Sequence, residues 1–183
     1  MKLEVLEKDR FYHIYNRGIN GCNIFSNDEN RNYFLKQYQK YLVDKVSTFA
    51  YCLLRNHFHF VIRIDGEPKE VTQGFSNFFN SYAKAYNKAE NRTGSLFEKH
   101  FRRIKVDSEK YLKQVIIYVN LNSQTHFGKD YKNYFFSSYK EVISGSFNIL
   151  KTEELLDLFG GKENFKEVHD SRRIFLSEQL TLE

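Results

Sequence analysis

A chain of 183 residues with a single proline has the length of one domain plus an appended segment, and it can bury a core without disulfides or a structural metal. The 41% hydrophobic and 28% charged composition excludes disordered and collagen-like proteins, and no apolar run approaches the roughly 18 residues of a membrane span. Cys22 and Cys52 match neither zinc-site nor disulfide spacing, and residues 1–30 lack the apolar core of a secretory signal, so we expect a cytoplasmic protein.

The first third of the chain predicts a strand, a helix and a hairpin. Residues 11–16 alternate as a strand. Ser26, with Glu29 three residues later, forms a capping box. Apolar side chains then recur at helical spacing: Phe34, Leu35, Tyr38 and Leu42. Residues 46–54 and 57–64 are rich in β-formers and are separated by only two residues, which favours a tight antiparallel hairpin.

The next part of the chain predicts two helices with a strand between them. The first helix carries an aromatic stripe of Phe75, Phe78, Phe79, Tyr82 and Tyr86. Residues 96–106 form the predicted strand, and Asp107 or Ser108 caps the second helix. That helix has its apolar stripe at Leu112, Val115, Ile116 and Val119. Short helices are predicted at 152–159 and 164–169.

This order of elements is typical of an α+β fold. It predicts a ferredoxin-like split βαβ, an antiparallel sheet with helices on one face, followed by a C-terminal helix and a short helical tail. We expect residues 1–140 to form the main domain and residues 141–183 to form a helical extension packed on it.

Positive charge is concentrated in one window of the sequence. Residues 84–105 hold seven basic residues against two acidic ones, which equals the net charge of +5 of the whole chain. A solvated face is the commoner meaning of such a window. The alternative is a surface that binds nucleic-acid phosphates, on which Phe97 and Phe101 lie between the cations and could stack on bases. The candidate phosphate contacts are Arg17, Arg92, Lys99, Arg102, Arg103 and Lys105.

His57-Phe58-His59 is the sharpest chemical feature of the sequence. Because side chains alternate along a strand, the two histidines share one face while Phe58 points to the other. Two imidazoles on a rigid strand can hold a divalent ion and leave positions open for water and a phosphate oxygen. The alternative is a pair of hydrogen-bonded histidines on a half-exposed strand.

Tyr118 and Asn122 are further candidates, on the helix that Asp107 or Ser108 is predicted to cap. They are one turn apart and therefore share a helical face, with Tyr118 at the margin of the apolar stripe. An amide at this place can complete a metal shell, and a phenol beside it can act as a nucleophile. Aromatic packing is the alternative role for Tyr118.

Read together and in order, six segments resemble the REP-associated tyrosine transposases (RAYTs), which are single-tyrosine HUH transposases. The segments are 12–18 (YHIYNRG), 23–25 (NIF), 50–59 (AYCLLRNHFH), 92–97 (RTGSLF), 111–122 and 137–139 (SSY). The sequence departs from the family at Arg55, where Pro is usual, and at Ser123, which follows Asn122 where the family usually has Pro.

The resemblance implies metal-dependent cleavage and rejoining of single-stranded DNA near a hairpin. It implies His57 and His59 as ligands of Mg²⁺ or Mn²⁺, with Asn122 as the third ligand. It also implies Tyr118 as the nucleophile, which would form a 5′-phosphotyrosine and release a 3′-hydroxyl. The expected partner is single-stranded or hairpin DNA, bound by a monomer or a homodimer.

Two other interpretations stay open on the sequence. A domesticated, catalytically silent relative, or an RNA-binding ferredoxin-like module, would bind nucleic acid without a metal. A metal-dependent phosphodiesterase that activates water would cleave DNA without Tyr118.

Overall fold

The computed structural model of the protein describes residues 4–128, 130–145 and 149–172, so residues 146–148 and 173–183 of the predicted extension lie outside the described residues. The strands are β1 (Phe11–Arg17), β2 (Val46–Leu53), β3 (His57–Ile64) and β4 (Arg102–Val106), and the longer helices are α1 (Asp28–Leu42), α2 (Pro68–Ala89) and α3 (Glu109–Phe127). Three shorter helices follow, α4 (Ser138–Ser144), α5 (Thr152–Phe159) and α6 (Lys162–Arg172). All neighbouring strands pair antiparallel in the order β2-β3-β1-β4, which confirms the predicted α+β, ferredoxin-like arrangement. Within the described ranges, no helix combines the length and apolarity needed to cross a bilayer.

The sheet separates two apolar cores because side chains alternate between its faces. On one face, Phe58 and Phe60 of β3 pack against α1, where the ring of Phe34 lies 5.1 Å from that of Phe58. On the other face, α3 packs across β2 and β3, and Val61 of β3 shares a core with Ile116 of α3. The two histidines of β3 alternate with Phe58 and Phe60, so they face α3.

The predicted capping box at Ser26 is wrong, because α1 begins one residue later than that box requires. The N-cap is Asn27, whose Oδ1 accepts the backbone N–H of Asn30 at 2.9 Å. The Ser26 hydroxyl instead lies 2.9 Å from the hydroxyl of Tyr86 in α2. The Ser26 side chain therefore contacts α2 and does not cap α1.

The fourth strand is shorter than predicted, since it covers Arg102–Val106 and not residues 96–106. The chain enters β4 through a loop in which His100 has a φ of +62°, and this left-handed conformation interrupts an extended run. Phe97 makes only an isolated bridge, to Gly18 at the end of β1. The loop is held beside the end of β1, where the N–H of Glu98 donates to the carbonyl of Arg17 at 3.0 Å.

Helix α3 is buried on all sides from Val115 to Ser123, although the sequence places Tyr118 at the margin of an amphipathic stripe. The sheet covers one side of α3, and the shorter helices cover the other, with Leu155 and Phe165 in the same core. The sequence predicted α5 with its observed bounds, a shorter α6 and no helix at α4. Burial of the outer side of α3 is therefore a consequence of the helical extension.

A buried polar network joins α6 to α3, α4 and β2. His169 of α6 lies with Nδ1 at 2.6 Å from the carbonyl of Phe165 and with Nε2 at 3.0 Å from the amide nitrogen of Asn120 in α3. The amide oxygen of Asn120 contacts the Ser138 hydroxyl of α4, which also accepts the backbone N–H of Tyr51 at 2.9 Å. Because a carbonyl only accepts and an amide NH₂ only donates, the network requires a neutral imidazole. Burial lowers the pKa of His169 to about 4.

We expect the protein to lose stability as the pH falls below the ordinary histidine pKa of 6.5. Below that value the unfolded chain binds a proton at His169 while the folded protein does not, so the stability is complete above it and is lost towards pH 4. The free energy of unfolding should fall by about 2 kcal/mol between pH 7.5 and pH 5 in urea titrations. His169→Gln should remove this part of the pH dependence, and an equal fall in both proteins would contradict the assignment.

Candidate active site

The turn that precedes β3 is held by the segment that follows β1. The N–H of Gly18 donates to the carbonyl of Asn56 at 2.8 Å, and the N–H of Ile24 donates to the carbonyl of Arg55 at 3.1 Å. A Cβ at position 18 would lie 2.0 Å from the carbonyl oxygen of Cys22, so only glycine fits there. Three of the sequence blocks meet at this turn: 12–18, 23–25 and 50–59.

His57 and His59 lie side by side on the α3 face of β3. Their ring centroids are 5.2 Å apart and their planes nearly perpendicular, and the residues are only 8% and 1% exposed. The Nδ1 atom of His57 lies 2.8 Å from Oδ1 of Asn56. An amide oxygen only accepts, so Nδ1 carries the proton and Nε2 carries the lone pair of the neutral ring. Nε2 is therefore the nitrogen through which His57 can bind a metal.

His13 of β1 contacts His59 directly. Its Nε2 lies 2.9 Å from Nδ1 of His59, and the two rings stack with centroids 5.2 Å apart. Tyr15 stacks against both rings, at 5.0 Å from His13 and 5.6 Å from His59. The sequence analysis assigned no role to His13. The available signal was strand alternation, which places positions 13 and 15 of β1 on one face, with Tyr15 opposite His59 in the register.

Helix α3 places Tyr118 against this group of rings. The ring of Tyr118 is edge-on to His59 at 5.8 Å and to His13 at 6.1 Å. The residue is 6% exposed. The structure therefore brings the predicted nucleophile and the predicted histidine ligands together within one chain.

Asn122 and His126 continue the face of α3 that begins at Tyr118. Asn122 is fully buried, and neither its Oδ1 nor its Nδ2 has a hydrogen-bond partner among the described residues. Buried amides are normally hydrogen-bonded, so this one is suited to a ligand that completes it. His126 is exposed and its ring lies 4.8 Å from that of His57, a contact that the sequence analysis did not foresee. Since Tyr118 contacts His59 and His126 contacts His57, Asn122 lies on the face of α3 between those two contacts.

These residues fit a divalent ion that accepts nitrogen and oxygen ligands. In the part of the chain that the structure describes, no group of three His, Cys, Asp or Glu side chains is arranged to hold a metal. Two imidazoles alone are an incomplete set, so the buried amide of Asn122 would have to supply the third protein ligand. Such a set leaves positions for water and for a phosphate oxygen, as the chemistry of Mg²⁺ and Mn²⁺ requires.

The six candidate phosphate contacts do not form one surface. Arg102 lies opposite Tyr15 and Arg17 lies opposite His57 in the strand registers, so both belong to the face that carries the histidines. Arg17 also pairs with Glu98 of the loop before β4, Nε to Oε1 at 2.6 Å.

The other four cations lie elsewhere. The register of β4 places Arg103 and Lys105 on the α1–α2 face, where the Arg103 guanidinium lies 4.3 Å from the Phe101 ring centroid. The Nζ atom of Lys105 pairs with Oε1 of Glu7 at 2.8 Å. Arg92 is half-buried against the thiol of Cys22, while Lys99 is exposed in the loop. Arg17 and Arg102 are therefore the cations best placed to reach a strand of DNA at the histidines.

Comparison with known proteins gives a structural match without a sequence match. No family model and no curated protein matches the chain. The fold is similar to a solved structure described as a REP-associated tyrosine transposase bound to a REP hairpin, with a TM-score of 0.62 and 14% identity over 81% of this chain and 88% of that one. A second structure, the tRNA(His) guanylyltransferase of Saccharomyces cerevisiae, reaches a TM-score of only 0.41 at 14% identity and supports no argument. The RAYT-like fold that the resemblance implied is thus confirmed.

Proposed function

We propose that this chain, whose fold is RAYT-like, is a metal-dependent endonuclease and strand transferase that acts on single-stranded DNA beside a hairpin. The observation that supports the proposal most directly is the meeting of Tyr118 with His59 beside a buried amide, Asn122, that has no protein partner among the described residues. The structural relative is bound to a REP hairpin, which favours hairpin-associated DNA as the substrate.

In the proposed reaction the Tyr118 oxygen attacks the scissile phosphorus. The bond from Tyr118 Oη to phosphorus forms, the bond from phosphorus to the 3′-oxygen breaks, and a 5′-phosphotyrosine remains on the protein. Tyr118 loses its proton and the departing oxygen gains one, which gives a free 3′-hydroxyl. Attack by another 3′-hydroxyl reverses the step and rejoins the strand, because the phosphotyrosine retains the energy of the broken linkage.

His57, His59 and Asn122 would hold the divalent ion, through the two Nε2 atoms and the amide oxygen. When bound, such an ion polarises the phosphate and stabilises negative charge on the leaving oxygen. Because all of these residues come together within one chain, the proposal places the whole site in one subunit. Tyr118 is only 6% exposed, so DNA has to approach it through the small part of the residue that is open to solvent.

Arg17 and Arg102 are proposed to bind the DNA backbone beside the site. The double variant Arg17→Ala/Arg102→Ala should weaken binding of single-stranded DNA and reduce the slope of log affinity against log salt by about 1 to 2. Fluorescence anisotropy at several salt concentrations measures both quantities. Lys36→Ala/Lys40→Ala removes two exposed cations of α1 as a matched control, and an equal loss in both double variants would indicate that binding has no preferred face.

The burial of Tyr118 favours a second candidate, a nucleic-acid-binding protein without catalytic activity. The two functions are separated by incubating the protein with single-stranded hairpin DNA and Mn²⁺, followed by denaturing gel electrophoresis. The proposed enzyme gives a covalent protein–DNA adduct that chelator abolishes. DNA binding that is unaffected by chelator, with no adduct on a broad set of hairpins, would identify the silent protein instead.

A further inference from the structure

We propose that His13 is a positioning residue for the metal site: it keeps the proton of His59 on Nδ1 and thereby presents Nε2 to the ion. This inference rests on the proposed function, because it assigns a role toward the ion that His57 and His59 would hold. His13 lies outside the implied ligand set and is supplied by a different strand, β1.

The geometry fixes His13 against His59 from several sides. The two residues are diagonal neighbours on the antiparallel pair β1–β3, a separation that aromatic side chains can bridge. His13 is 5% exposed, stacks against both Tyr15 and His59, and has the Tyr118 ring edge-on to it. A ring held in this way has little freedom to turn its Nε2 away from Nδ1 of His59, 2.9 Å distant.

The proton between the two rings decides whether His59 can act as a ligand through Nε2. When the proton is on Nδ1 of His59, that atom donates to His13 and the lone pair of His59 is on Nε2. When the proton is on Nε2 of His13, Nδ1 of His59 must accept, and a neutral His59 then carries its proton on Nε2. Histidine ligands of metals generally donate their second ring nitrogen to a neighbouring acceptor, and such acceptors strengthen metal binding.

His57 has the same arrangement with a different partner. Its Nδ1 faces the amide oxygen of Asn56 at 2.8 Å, which is an acceptor in every state. The partner of His59 is an imidazole, which can accept or donate. Each proposed ligand thus has its Nδ1 held by a neighbour, Asn56 for one and His13 for the other.

Mn²⁺ binding to the full chain without DNA, measured from the EPR signal of free Mn²⁺, tests this role. In His13→Gln the amide oxygen can still accept from Nδ1 of His59, whereas His13→Phe keeps an aromatic ring and offers no acceptor. We expect His13→Phe to weaken Mn²⁺ binding by about 10- to 100-fold and His13→Gln by less than about 5-fold. A role in packing alone predicts the reverse order, since phenylalanine preserves the stacking and glutamine does not.

The controls separate this inference from the proposed function. His57→Ala/His59→Ala should abolish the binding, and His100→Asn, at an exposed histidine of the loop before β4, should leave it unchanged. If wild type does not bind Mn²⁺, or the double variant binds it equally well, the proposed function fails and this inference with it. If that binding is normal and His13→Phe matches wild type, only the role of His13 is overturned. ¹⁵N NMR of the Mg²⁺-loaded wild type needs no variant: a proton on Nδ1 of His59 supports the role, and one on Nε2 overturns it.

Discussion

Replacement of Tyr118 by phenylalanine is expected to abolish the covalent protein–DNA adduct and to lower DNA cleavage by at least about 1,000-fold. The substitution removes one oxygen and keeps the ring that lies edge-on to His59 and His13. The histidines and the buried face of α3 should therefore keep their arrangement, and the loss can be assigned to the nucleophile. Single-turnover cleavage of 5′-labelled hairpin DNA with Mn²⁺, followed on denaturing gels, measures both effects.

Tyr111→Phe is the matched control for this result. Tyr111 lies two turns earlier on α3 and is half-buried, and in the part of the chain that the structure describes its ring does not contact those of His13, His57 or His59. We expect this variant to cleave within about 3-fold of wild type, as a substitution outside the site should. Full cleavage by Tyr118→Phe, without an adduct, would instead identify a phosphodiesterase that uses water.

Replacement of Asn122 by leucine should raise the stability of the metal-free protein and lower its cleavage of DNA with Mn²⁺. The two side chains have similar shape, and the substitution removes an amide whose oxygen and nitrogen are buried with no hydrogen-bond partner among the described residues. Removing such a group should raise the free energy of unfolding of the metal-free protein by about 1–3 kcal/mol. The same change removes a proposed ligand, so cleavage with Mn²⁺ should fall by about 100-fold or more.

Asn120→Leu provides a sharp comparison two residues earlier on α3. Asn120 is equally buried, but its amide nitrogen lies 3.0 Å from His169 and its oxygen contacts Ser138. Its replacement should leave Nε2 of His169 without a partner, remove the contact with Ser138, and lower the free energy of unfolding by about 2 kcal/mol. Urea titration of the metal-free proteins measures both changes. A loss of stability in both variants would show that the Asn122 amide is satisfied within the protein, and would argue against its role as a ligand.

Much of the fold follows from the sequence because local patterns and tertiary environment agree there. Strand alternation in β3 and the aromatic stripe of α2 were predicted correctly. Phe58 and Phe60 of β3 and the aromatic side chains of α2 all point into one core, as the periods of strand and helix require. Ser108 caps α3 as predicted. Ser26 was predicted wrongly, because its hydroxyl is bound by a tyrosine 60 residues away. Long-range partners of this kind leave no mark in a window of neighbouring residues.

The candidate site divides in the same way. The sequence by itself determined the residue types: His57 and His59 on one face of a strand, and Tyr118 and Asn122 one turn apart on a helix, because both relations depend only on the periods of regular structure. Only the tertiary structure decided that the two faces meet, that His13 stands behind His59 and that His126 lies against His57. It also decided that two neighbouring asparagines differ, one satisfied by α6 and α4 and one without a partner among the described residues. These relations join segments far apart in the chain, and they depend on the antiparallel register and on the packing of α3 between the sheet and the last helices.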